Sequence, residues 1–173
     1  MNKPLIQIVD ENDQPLYGTT KQEAWDHGLT HRIARIMIED ENGMILLQLR
    51  DKAKWFYPNC YDPAVAGHVD EGEDYLTAAK REMAEEIGVP DLMLEQVSYY
   101  RRDFEYKGKQ MHRFVTLYRA TMPHDTALTI AEDEVAGMRW VSRGELDDLI
   151  HNQPEIISDG LQEAYDILYK DAA

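Results

Sequence analysis

The chain holds 173 residues, 43% hydrophobic and 29% charged, with only 10 Gly and 7 Pro. That suits one compact domain with decorations and excludes collagen-like, low-complexity and fully disordered classes. Eighteen Lys and Arg stand against 33 Asp and Glu, a formal charge of −15. This argues against a nucleic-acid partner, and any anionic substrate would need cations to bridge it to so acidic a surface.

Cys60 is the single cysteine, which rules out an internal disulfide and any Cys-rich zinc site. The stretch from Met1 to Asp10 has no basic start followed by an apolar run, and no apolar run is long enough to cross a bilayer. The expectation is a soluble, cytoplasmic protein with no membrane partner.

Leu5 to Val9 alternates as a strand does, and Asp10 to Asp13 with Pro15 supplies a turn. Thr20-Lys21-Gln22-Glu23 is a capping-box pattern opening a short helix that Gly28 should stop. Arg32 to Ile38 favours a strand, Asn42-Gly43 a hairpin turn, and Met44 to Leu49 the answering strand. Lys54 to Val65, with Pro58, Asn59 and Pro63 among Trp55, Phe56, Tyr57 and Tyr61, reads as an ordered aromatic loop. Asp74 to Glu86 is helical by periodicity, with Leu76, Ala79, Met83 and Ile87 as its apolar stripe and Gly88 to end it. Two later strands follow, Arg113 to Arg119 and Gly137 to Val141. Ser142-Arg143-Gly144-Glu145 opens another capped helix, and Leu161, Tyr165 and Leu168 stripe a last one. Strands and helices mixed in this way imply a layered α/β or α+β domain.

The chemistry is concentrated between Gly67 and Val89. At 100° per residue, Glu82, Glu85 and Glu86 fall within about a 100° arc beside the apolar stripe, so three carboxylates share the edge of the core. Like charges at helical spacing repel, more so when partly desolvated, and the arrangement invites a hard divalent cation. Magnesium fits best, because it binds through a few carboxylates, waters and substrate phosphates. Arg81, one turn before Glu85, can pin that carboxylate by a bidentate pair. A merely solvated acidic face is the alternative.

Gly67, Glu73, Arg81, Glu82, Met83, Glu85, Glu86, Gly88 and Val89 match position for position the pattern G-x5-E-x7-R-E-U-x-E-E-x-G-U, with U apolar. In this the chain resembles the Nudix hydrolases. The resemblance implies an α/β/α sandwich with a mixed central β-sheet, spanning residues 1–173 as a single domain. Residues 30–150 would be its core, 1–29 an N-terminal strand and helix extension, and 151–173 a C-terminal helix. It also implies Mg2+ or Mn2+, and cleavage of a nucleoside diphosphate derivative by water attack on phosphorus. Glu85 and Glu86 would be the most secure metal ligands, Glu82 a ligand or the water-activating base, and the Gly67 carbonyl a further ligand. Arg81 would orient the site, and Glu73 would fix its loop. A homodimer is common in that family, and nothing in the chain fixes an interface.

A narrower likeness rests on Val9-Asp10-Glu11, Gly28-Leu29-Thr30-His31-Arg32, Leu46-Leu47-Gln48-Leu49-Arg50 and Ala66-Gly67-His68, which look like the subgroup related to isopentenyl diphosphate isomerase. It implies a possible second metal at His31, His68, Glu132 and Glu134, with Glu134 the best candidate outside the motif for an additional ligand or base. His31 as a satisfied core residue and Glu132-Asp133-Glu134 as a solvated turn are the competing readings. Those isomerases carry a cysteine just before the Gly-His pair, where this chain has Ala66, and usually a degraded motif, where this one is complete. Cys60, six residues upstream of Ala66, reads as a small apolar filler. Hydrolysis therefore leads, with an isomerase and a non-catalytic nucleotide-binding protein as alternatives. Trp55, Phe56 and Tyr57 would stack on a base or pack inward, Tyr106 lies where dinucleoside polyphosphate hydrolases of the family carry a tyrosine, and Arg101, Arg102 and Arg113 could meet a terminal phosphate.

Overall fold

The structure, a computed structural model, describes residues 4–170. The ends of the 1–29 extension and of the 151–173 segment lie outside the described residues. The elements are β1 (Ile6–Val9), β2 (Pro15–Thr19), α1 (Lys21–His27), β3 (His31–Glu39), β4 (Ile45–Arg50), β5 (Tyr61–Pro63), β6 (Val65–His68), α2 (Tyr75–Ile87), β7 (Glu95–Tyr106), β8 (Lys109–Thr121), β9 (Val135–Val141), α3 (Arg143–Asn152), a 3₁₀ turn (Pro154–Ile156) and α4 (Asp159–Leu168).

All nine strands belong to one sheet organised on β3. Along one edge β3 pairs in parallel with β8 from His31↔Arg113 to Glu39↔Thr121. Along the other it meets β1, β6 and β4 in turn, all antiparallel. The Asn42-Gly43 hairpin forms, with Asp40 Oδ1 accepting from the Asn42 and Met44 amides at 2.8 Å. It pairs only Ile38↔Leu46 and Glu39↔Ile45 before β4 turns away to pair with β9 and β5. β5 and β6, joined through Ala64, cross from β4 back to β3 and span the gap that this divergence opens.

Side chains alternate along β3, as the strand period requires, and both faces are buried. Ala34, Ile36 and Ile38 pack under α2 with Ala78, Ala79, Met83 and Ile87. Met37 packs on the opposite face with Leu146, Leu149 and Ile150 of α3 and Leu161, Ala164 and Tyr165 of α4. Helices thus cover both faces of a mixed sheet, giving the three layers implied by the resemblance. No helix among the described residues is long and apolar enough to cross a membrane.

Several expectations are corrected. Residues 15–19 form β2 rather than only a turn, and the end of the aromatic segment forms β5 and the start of β6. β7, half-exposed and without clean alternation, had no sequence signal, although it pairs with β8 for almost its whole length. Leu76 is not in the stripe of α2: it is 44% exposed, and Ala78 holds the inner position. At α1, Thr20 accepts from the Glu23 amide, but the Glu23 carboxylate takes the Thr19 hydroxyl instead of closing a capping box. The Ser142–Glu145 box is complete. The segment after residue 150 holds the end of α3, the 3₁₀ turn and α4 rather than one helix.

Candidate active site

The loop before α2 and the helix itself are locked together by Arg81. Its Nε and Nη2 donate to Glu73 Oε1 and Oε2, each at 2.9 Å, and Nη2 also donates to the His68 carbonyl at 2.9 Å. Nη1 reaches Glu82 Oε1 at 2.9 Å and Glu85 Oε2 at 3.2 Å. The bidentate partner is therefore Glu73, not Glu85 as the spacing suggested, and the same Glu73 accepts from the Asp70 amide. Hydrogen bonding from Arg81 holds the Glu73 carboxyl below its ordinary range.

The three carboxylates do not share one environment. Glu82 and Glu86 are 8% and 4% exposed, whereas the Glu85 side chain is 61% exposed at the outer edge of the helix. Glu82 lies against the backbone of Gly67, where an added Cβ would stand 2.0 Å from the Glu82 carboxyl carbon, so only glycine permits the approach. Burial raises the Glu82 carboxyl, with Arg81 opposing. Burial, then the neighbouring Glu82 charge, pushes Glu86 up to about 8, against hydrogen bonds from Gln48 Nε2 at 2.9 Å and the Ala66 amide at 3.3 Å.

Among the described residues no three His, Cys, Asp or Glu side chains are already grouped as a metal-holding set. The donor chemistry nevertheless fits a hard divalent cation: two buried carboxylates line one cleft, Glu82 beside the side-chain-free strand residue Gly67 and Glu86 with no basic side chain in contact with it among the described residues. Glu85, held only by its single contact to Arg81, is the carboxylate nearest in sequence to complete the set.

Glu82 and Glu86 open into a cleft of about 950 Å³, part of it open to solvent. Gly67, His31, His68 and Glu134 also line it; Glu132 does not and is exposed. The His31 and His68 rings stack 5.3 Å apart. His31 Nδ1 lies 3.0 Å from the Leu29 carbonyl, which can only accept, so Nδ1 carries the proton and Nε2 the lone pair. Burial lowers the His31 imidazole to about 4, and burial also lowers His68 well below its ordinary value. Both rings are neutral at pH 7. Glu134 is paired with Lys54 at 2.7 Å; burial raises its carboxyl, and the hydrogen bond and charge of Lys54 together with the charges of Lys21 and Arg50 bring it below its ordinary value.

The rest of the cleft went unread in the sequence. Lys21 and Trp25 come from α1, Gln48 and Arg50 from β4, Arg35 from β3 and Arg113 from β8. Cations therefore line the cleft of a strongly acidic chain, a local distribution that the net charge conceals. Trp25 stacks on Trp55 at 5.1 Å and 14°, and Trp55 meets Phe56 edge-on at 4.5 Å. Tyr106 is a loop anchor: its hydroxyl accepts from the Tyr57 amide at 2.9 Å, and Arg50 Nε fixes the Phe56 carbonyl at 3.0 Å. Of the basic residues expected to meet phosphate, only Arg113 lines the cleft; Arg101 pairs with Asp103, and Arg102 with Glu163. Cys60 does not line it, and its Sγ sits 3.7 Å from the Pro58 and Glu155 carbonyls.

Residues 29–160 match the model of the NUDIX domain. The chain is 31% identical over 137 residues to an uncharacterized Nudix hydrolase of Pseudomonas aeruginosa, covering 79% of this chain and 78% of that one. It is 29% identical over 161 residues to an isopentenyl-diphosphate Delta-isomerase of Photorhabdus laumondii, covering 88% and 85%. Among solved structures, DR0079 from Deinococcus radiodurans superposes with a TM-score of 0.77 at 20% identity over 95% of this chain and 99% of that one, a likeness of fold.

Proposed function

The chain belongs to the Nudix family of hydrolases, and from that premise we propose that it cleaves the diphosphate linkage of a nucleoside diphosphate derivative or related organic diphosphate, with Mg2+ or Mn2+. One observation carries the reading. Glu82 is buried against Gly67 and Glu86 against the neighbouring Ala66 amide, at the wall of a cleft whose other walls carry Lys21, Lys54 and an aromatic cluster.

In this reading Glu82, Glu86 and the Gly67 carbonyl hold the cation, with Glu85 or Glu134 completing its shell. The bound cation supplies charge neutralisation at the diphosphate and activation of the attacking water. Arg81 keeps Glu82 in place and ties the helix to the end of β6, which carries Gly67 and His68. Gln48 orients Glu86. Lys21 and Lys54 line the cleft and would meet the phosphates, Lys54 being paired with Glu134 in this structure. The carboxylate of Glu82 or Glu134 takes the proton of the attacking water.

The isomerase alternative is disfavoured by the position before Gly67-His68, which is Ala66, and by Cys60 not lining the cleft. Isopentenyl diphosphate incubated with protein and metal is expected to give no dimethylallyl isomer. The direct test is release of phosphate or nucleotide from a panel of diphosphate compounds with Mg2+ or Mn2+. Glu82→Gln and Glu86→Gln should each lower kcat/KM by about 100-fold or more. Full activity in both variants would overturn the assigned machinery.

A further inference from the structure

Tyr57, which lines the cleft that holds Glu82 and Glu86, carries a bulky side chain on a left-handed backbone with φ 47°. Such a residue seldom adopts that conformation, and it persists only where the surroundings over-determine it. Here they do. The tip of the β7–β8 hairpin grips the loop: the Tyr106 hydroxyl accepts from the Tyr57 amide at 2.9 Å, Lys107 Nζ donates to the Trp55 carbonyl at 3.0 Å, and the Tyr57 and Tyr106 rings pack with centroids 4.8 Å apart. Arg50 Nε holds the intervening Phe56 carbonyl from β4. These contacts engage the loop backbone and the Tyr57 ring, and leave the Tyr57 hydroxyl without a hydrogen-bond partner among the described residues. Trp25 Nε1 and Arg113 Nε are unpartnered too, but they are closed off; the Tyr57 hydroxyl remains accessible.

Its neighbours say what the hydroxyl can meet. The charge that acts on it most is that of Asp159, followed by Arg113, and both residues line the same cleft. Arg113 is paired with Asp159, Arg35 with Glu163 and Arg50 with Asp62. Charge around the hydroxyl is thus settled internally, and a phosphate gains no unmatched guanidinium there. Phe104 and Met111 add apolar lining. Burial raises the Tyr57 hydroxyl above its ordinary range, so it stays protonated and can donate as well as accept. A neutral hydroxyl, carbonyl or ring nitrogen can use that capacity.

Resting on the hydrolase reading, we propose that Tyr57 is a specificity-determining residue whose hydroxyl bonds a neutral polar group on the organic part of the diphosphate substrate. A hydrocarbon chain offers no such group and forgoes the bond. The left-handed backbone, fixed by the hairpin tip, is what carries the ring to this place in the cleft wall.

The test is steady-state kinetics with Mg2+ on ADP-ribose, a nucleotide sugar and a dinucleoside polyphosphate, against isopentenyl and geranyl diphosphate, in wild type and Tyr57→Phe. The substitution keeps the ring and removes only the hydroxyl. For the best polar substrate KM should rise about 10-fold with kcat within about 2-fold. Any hydrocarbon diphosphate that is hydrolysed should change in KM by less than about 2-fold. The ligand-free melting temperature should stay within about 1 °C, because the hydroxyl has no internal partner to lose. An unaltered KM for the polar substrate, an equal rise for the hydrocarbon diphosphates, a lowered melting temperature, or turnover of the hydrocarbon diphosphates alone would overturn this inference and leave the hydrolase reading standing. No turnover of any compound by wild type would overturn the hydrolase reading and this inference with it.

Discussion

Arg81 spends its guanidinium on four groups: the Glu73 and Glu82 carboxylates, Glu85 and the His68 carbonyl. A planar fork can do this and an ammonium cannot. Arg81→Lys is therefore expected to weaken Mg2+ binding by about 10- to 100-fold, read by calorimetric titration, although the charge is kept. Unaltered affinity would show that Arg81 does not position Glu82. At this scale the sequence was informative about identity and silent about direction. Periodicity put Glu82, Glu85 and Glu86 on one arc, but an arc does not say where the sheet lies, and the sheet buries Glu82 and Glu86 while leaving Glu85 outside. Gln48 and Trp25 had no local signal because their partners are distant in the chain: Glu86 for one and Trp55 for the other.

At the scale of elements, the end of α2 is a junction. Gly88 has φ 71°, and a Cβ there would stand 2.7 Å from that of Thr129. The Thr129 and Ala131 amides donate to the Ile87 and Glu86 carbonyls at 3.0 Å, which stitches the loop that carries Glu134 to the helix that carries Glu86. Gly88→Ala should therefore cost about 2 kcal/mol in urea unfolding, combining left-handed strain with the clash, and should lower activity through the displaced loop. Wild-type stability in that variant would contradict the role given to this cap. Apolar periodicity and the stop at Gly88 made α2 legible, and the Ser142–Glu145 capping box made α3 so. β7 was illegible because a long, half-exposed hairpin needs no clean alternation, and β5 and β6 because three- and four-residue strands inside an aromatic run pair only when β4 diverges from β3.

For the molecule as a whole, the proposed function sets a fold that buries carboxylates against a cation that would make the burial tolerable. Glu86 ordinarily titrates near 4.5 and is pushed up to about 8, chiefly by burial. Without metal the folded state holds that proton more tightly than the unfolded chain, so its contribution is present below pH 4.5 and is lost as pH rises through 8. A bound divalent ion reverses this by favouring the carboxylate, and it adds stability by mass action. Net charge read from the sequence said that a cation was needed; it did not show that Lys21, Lys54, Arg35, Arg50 and Arg113 gather along one cleft, the three arginines paired with Glu163, Asp62 and Asp159.

Thermal melting at pH 8, with chelator and with millimolar Mg2+, tests this balance most directly in wild type and Glu86→Gln. With chelator the variant should melt above wild type, since it lacks the buried acid. Magnesium at about 100 times its Kd should then raise wild type by several degrees and leave the variant unmoved. Equal magnesium shifts in both proteins, or none in wild type, would contradict the account.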